Sequence, residues 1–222
     1  MSDVALVCGG GGALGSALVD VLLERGDTVV AVDRSGDGEA RERLRREVAD
    51  LTSASEVDAL WERLAAADVR PRWVVNAAGG FRAGTVADTG PELLRFVSEL
   101  NVGTAWWSCR AAAKGLPEGG AIVNVGARAA LSGGAGTAAY AVAKAAAVRL
   151  TEVLAAELRD RKVRVNAILP ALIDTPANRA TMSPDQLRNA VAPAELASVV
   201  SFLLSDAASA VTGAIVPVYG WA

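Results

Sequence analysis

A chain of 222 residues with 52% apolar content buries a sizeable core but is short for two ordinary domains, so a single α/β domain spanning residues 1–222 is expected. A net charge of −3 with Lys and Arg scattered along the chain argues against a nucleic-acid partner, and the absence of histidine excludes Ser-His-Asp and Cys-His catalysis and leaves no expected metal site. Cys8 and Cys109, the only cysteines, are too far apart in sequence to suggest a disulfide framework or a zinc cluster, which fits a reducing compartment.

The chain opens Met-Ser-Asp-Val-Ala-Leu, without the basic region of a signal peptide, and no uncharged stretch reaches the ~20 residues of a membrane span. A cytoplasmic protein with no membrane contact is expected. Short β-branched runs then alternate with Ala/Leu/charged stretches: a strand over Val4 to Cys8, a helix over Ala13 to Arg25, a strand over Thr28 to Val32 and a charged segment to Leu64. There follow a strand at Trp73 to Asn76, a helix near Pro91 to Lys114, a strand at Ala121 to Val125 and a helix near Thr137 to Arg159. Strands at Val163 to Leu169 and Ala214 to Val218 flank a helix at Ala194 to Leu204, with an irregular loop from Pro170 to Pro193. These strands, joined by helical crossovers, give a doubly wound parallel sheet with helices on both faces, and ligands of such sheets bind beyond the carboxyl ends of the strands.

The first strand runs into Gly9-Gly10-Gly11-Gly12-Ala13-Leu14-Gly15 and then a helix. Glycines at such a corner let the backbone approach a pyrophosphate, and the free N–H groups and positive helix end stabilise its charge. Asp33 closes the second strand at about the ~20-residue interval at which an acid meets ribose hydroxyls. A carboxylate there repels a 2′-phosphate, so NAD(H) is favoured, with NADP(H) the alternative because Arg34 offers a phosphate partner.

Tyr140 and Lys144 stand at i and i+4, on one face of an alanine-rich helix. A fixed positive charge beside a phenol favours phenolate, so Lys144 is expected to lower the pKa of Tyr140 and make it a proton carrier.

Together these motifs resemble those of the short-chain dehydrogenase/reductase family over essentially the whole chain: the turn Cys8 to Gly15, the loop Asn76-Ala77-Ala78-Gly79, the helix asparagine Asn101 and the pair Tyr140/Lys144. The resemblance implies a Rossmann-type seven-stranded sheet and a nicotinamide-dependent oxidoreductase acting on a small-molecule substrate, commonly a homodimer or homotetramer. It implies that Tyr140, Lys144 and Asn101 are catalytic, with Lys144 also holding the nicotinamide ribose and Asn101 supporting a water in a proton relay. It further implies that Gly9, Gly12, Ala13, Leu14, Gly15, Ala77 and Gly79 contact the coenzyme, and that Asp50, Leu51 and Asn76 flank its adenosine. Pro170, Ile173 and Thr175 would contact the nicotinamide end. Trp106 and Trp107 fall in a helix that in this family often packs against a second subunit, though one of the two rings is equally expected to point inward.

The family's serine, thirteen residues before the tyrosine, is replaced here by Ala127. Loss of one oxyanion donor typically costs ~2.7–4 kcal/mol of transition-state stabilisation. Three explanations stand: a substrate whose developing charge is delocalised, a substitute donor such as Ser132 or Thr137, or a regulatory module that binds dinucleotide without turnover. The segments Gly126 to Leu131 and Asp174 to Arg179 resemble the dihydropteridine reductase branch, which reduces a quinonoid pterin without the serine. A conjugated or quinonoid substrate beside Ala127 is therefore expected, with a carbonyl or alcohol substrate as the alternative; Arg128 or Arg82 is a candidate contact for a polar heterocycle, set against the plainer reading of an exposed arginine.

Overall fold

The computed structural model describes residues 3–221. Seven parallel strands form one sheet: β1 Val4–Cys8, β2 Thr28–Asp33, β3 Leu44–Val48, β4 Pro71–Asn76, β5 Ala121–Val125, β6 Arg164–Pro170 and β7 Ile215–Val218. Their order across the sheet is β3-β2-β1-β4-β5-β6-β7, so the direction of winding reverses between β1 and β4. That reversal opens a crevice at the carboxyl ends of these two strands.

The helices are α1 Ala13–Arg25, α2 Ala54–Ala66, α3 Pro91–Ser98, α4 Thr104–Gly115, α5 Ala138–Glu157, α6 Pro176–Thr181, α7 Pro184–Leu187 and α8 Pro193–Leu204. One face of the sheet is covered by α1 and α8, where Leu18, Leu22, Leu196, Val200 and Leu203 join Val7, Val29 and Val75 in one core. The other is covered by α2, α4 and α5, where Leu60, Leu64, Ala112 and Leu154 pack on Leu6, Val30, Val74 and Ile122. Central strands buried on both sides explain the nearly unbroken apolar runs of β1, β2 and β5.

Two expectations need correction. The stretch read as charged holds an edge strand, β3, whose Arg45 and Glu47 pair with each other at 2.5 Å. The loop after β6 is less irregular than expected. It contains α6 and α7, and Ile173 bridges Val191. Of the adjacent tryptophans, Trp107 packs against the α2/α4/α5 core while Trp106 stands half-exposed. No helix among the described residues is long and apolar enough to cross a membrane.

Candidate active site

Two adjoining cavities lie along the crevice and meet at Ala77 and Gly79. The first, about 270 Å³, is lined by Gly9, Gly12, Asp33, Arg34, Asp50, Leu51, Thr52 and the helix residues Phe96, Glu99 and Leu100. The second, about 410 Å³, is lined by Leu14, Phe81, Ala127, Tyr140, Lys144, Pro170, Ile173, Thr175 and Met182, among others.

The glycine turn is shaped by backbone contact. Gly9 has φ +86°, and a methyl added there would stand 2.7 Å from the amide nitrogen of Ala78. A methyl on Gly15 would collide with the Gly9 carbonyl, so α1 packs against its own turn only because position 15 is bare. Gly12 caps α1, placing Ala13 and Leu14 in its first turn, where amides point free at the helix start. Asp33 accepts from the backbone N–H of Gly11 at 3.0 Å and of Arg34 at 2.8 Å, which fixes its carboxylate on the cavity wall. The carboxyl of Asp50 is held below its ordinary range by hydrogen bonds from the Thr52 hydroxyl and N–H.

Asn76 departs from its expected place. Its amide donates to Asn124 at 2.7 Å and to the Cys109 sulfur at 3.3 Å, and Asn124 donates in turn to Thr151 at 2.9 Å. All these groups are buried. Asn76 thus braces β4 against β5 from beneath the cavities and is absent from their lining, whereas Ala77 and Gly79 form the wall.

Asn101 lies in a five-residue π-helical segment, Glu99–Gly103, that interrupts the α3–α4 helix expected to be continuous. Such a bulge turns a side chain out of helical register and often marks a functional position. The Asn101 amide donates to the carbonyls of Gly80 at 2.9 Å and Val97 at 3.0 Å, and its oxygen accepts from the Gly80 N–H at 3.2 Å. A methyl on Gly79 would stand 2.8 Å from that oxygen and 3.2 Å from the Lys144 ammonium, so Gly79, Asn101 and Lys144 converge.

Lys144 is buried at 5% exposure, donates to the Val125 carbonyl at 2.9 Å, and is pushed down to about 8 by loss of water. Its nitrogen lies 5.9 Å from the centre of the Tyr140 ring. Burial pushes the Tyr140 phenol up, the opposite of the expected acidification. Desolvation of the charged form is the cause. Tyr140 is consequently protonated at neutral pH, loaded to give a proton.

Ala127 lies on the wall of the second cavity. Arg128 does not: it is exposed, as the plainer reading of its sequence had it, with its guanidinium 5.3 Å from the Tyr219 ring centre. Ser132 is outside the lining and its hydroxyl reaches only the Arg128 carbonyl, at 3.4 Å. Thr137 lines the cavity, but its hydroxyl donates to the Gly134 carbonyl at 2.7 Å. Sequence reasoning missed Phe81, whose ring meets Tyr140 edge to face at 5.2 Å, and missed the braces Asn124 and Thr151. An aromatic residue directly after Gly79-Gly80, at the carboxyl end of β4, was the available signal.

Residues 11–220 match the sequence family described as enoyl-(acyl carrier protein) reductase. Galactitol 2-dehydrogenase of Rhizobium johnstonii is 36% identical, over 96% of this chain and 92% of its own. A 3-oxoacyl-[acyl-carrier-protein] reductase of Pseudomonas aeruginosa is 32% identical, over 98% and 96%. Among solved structures, 3-ketoacyl-(acyl-carrier-protein) reductase from Brucella melitensis complexed with NADH superposes with a TM-score of 0.88 at 27% identity, covering 99% of this chain and 97% of that one. A blue fluorescent protein from a metagenomic library in complex with NADPH gives 0.88 at 26%, covering 98% and 96%. With its sheet, crevice and Tyr140/Lys144/Asn101 cluster, the chain belongs to the short-chain dehydrogenase/reductase family of nicotinamide-dependent oxidoreductases.

Proposed function

We propose that the chain is an NAD(H)-dependent reductase of a small substrate whose developing charge is spread over a conjugated or quinonoid system. The observation that carries this is the surface beside Tyr140: Ala127 supplies no donor there, Ser132 lies outside the cavity, and the Thr137 hydroxyl is spent within its own loop. A carbonyl reduced to a localised alkoxide wants such a donor, and a conjugated acceptor does not. Gly9, Gly12, Asp33 and Asp50 would hold the adenosine half of the coenzyme, and Lys144, Ile173 and Thr175 the nicotinamide half. The fit rests on the bare glycines, which leave room for close approach, and on the Asp33 carboxylate, which suits ribose hydroxyls and repels a 2′-phosphate.

The bound reduced coenzyme would supply a hydride to a substrate carbon. Tyr140, neutral before reaction, would give its proton to the substrate nitrogen or oxygen, so that substrate gains two electrons and two hydrogens and the coenzyme is oxidised. Lys144 would hold the resulting phenolate until solvent returns the proton, and the Asn101 clamp would keep Gly79 and Gly80 clear of the reacting ring.

A second substrate class is favoured by the relatives, which are named for a polyol and for 3-oxoacyl groups. In that case Thr137 would turn from Gly134 to serve as donor. Stopped-flow oxidation of NADH with a quinonoid dihydropterin and with aliphatic ketones separates the two. The conjugated acceptor is expected to be preferred at least tenfold in kcat/KM, and Ala127→Ser to raise ketone turnover. Ketone turnover with an inert pterin would refute the proposal.

A further inference from the structure

We propose that Phe81 is the specificity-determining wall of the second cavity, selecting a planar ring by stacking or edge contact; this deepens the conjugated-substrate reading and rests on it for the identity of the reacting ring. Among the described residues lining that cavity, only Phe81 and Tyr140 are aromatic. Phe81 remains 51% exposed although it sits in a pocket wall. Apolar ring surface left in water there gains free energy only when a ligand covers it.

The ring is also held in place. One residue before it, Gly80 is clamped by the Asn101 amide through both its N–H and its carbonyl. Three residues after it, the N–H of Gly84 donates to the Gly136 carbonyl at 2.8 Å, and the Gly84 carbonyl accepts from the Ala138 N–H at 3.1 Å. The loop 80–84 is thus tied at one end to the π-helical segment and at the other to the start of α5, the helix that carries Tyr140. Its edge-to-face contact with Tyr140, at an interplanar angle of 86°, sets the aromatic wall beside the proton donor. Ala127 and Ala129 in the same lining add little side-chain bulk. A planar heteroaromatic fits this arrangement, and aromatic pairs of this kind exceed simple area burial.

The test is equilibrium binding of pterin, a fluorescent planar heteroaromatic that need not react, to the enzyme saturated with NAD+. Phe81→Leu keeps an apolar side chain and is expected to weaken pterin about three- to tenfold, while Phe81→Trp binds at least as tightly as the wild type. Melting temperature and coenzyme titration of each variant report on folding independently. Equal pterin affinity in wild type and Phe81→Leu, or no pterin binding by the wild type, would overturn the assignment. A wild type that binds pterin through Phe81 yet reduces only ketones would instead overturn the reading of Ala127 and leave the ring wall standing.

Discussion

Burying an ammonium without a counter-charge costs free energy, and Lys144 carries that cost at the centre of the site. Its pKa falls from 10.5 to about 8 on folding, so the unfolded chain binds more protons between those values and stability from this group rises with pH across that window. Below pH 8 the full penalty applies, about 3 kcal/mol. Lys144→Met is therefore expected to melt a few degrees above the wild type at pH 7, with the difference shrinking from pH 8 to 10.5 and activity lost at least a hundredfold. Thermal melts across that range check this, and a less stable Lys144→Met at pH 7 would contradict it. Asp33 gives a second outcome at this scale: coenzyme titration should show NADH at least tenfold tighter than NADPH, with Asp33→Ser narrowing the gap. Tyr140, Lys144 and Asp33 were legible because spacing on a helix or at a strand end fixes where they lie, and Asn101 through the family resemblance alone. The direction in which the side chains of Arg128, Ser132 and Asn76 point was not, since it depends on neighbours distant in sequence.

The glycine turn and the π-helical segment show how elements set the site. Because a methyl at Gly15 meets the Gly9 carbonyl while one at Gly12 meets nothing nearer than 3.5 Å, the two substitutions should separate. Gly15→Ala is expected to destabilise the fold by about 1–3 kcal/mol. Gly12→Ala should fold normally and weaken coenzyme binding, because position 12 faces the first cavity. Denaturant titration paired with coenzyme titration distinguishes them. The π-helical segment was illegible: its residues keep helical periodicity and contain no proline. Strand β3 was hidden by its edge position, where Arg45 and Arg46 replace the apolar alternation that marks buried strands. The helices α6 and α7 could have been found, since Thr175-Pro176 and Ser183-Pro184 are cap-and-proline starts, and both hydroxyls do accept from the third residue on.

At the scale of the molecule, βα alternation alone implied the sheet, both covered faces and the ligand edge, because right-handed crossovers leave few other solutions. What alternation does not encode is where the winding reverses, between β1 and β4, which joins two cavities into one trough and brings residues 33 and 140 to the same edge. Catalysis as proposed requires that trough to hold a coenzyme with its reactive ring against Tyr140. A crystal structure with NADH bound is the most direct test. The Tyr140 hydroxyl and the nicotinamide are expected to flank one substrate position, with room for reacting atoms to approach within about 3–3.5 Å, and no donor near Ala127. A nicotinamide lying away from Tyr140, or a hydroxyl turned into the space beside Ala127, would contradict the account.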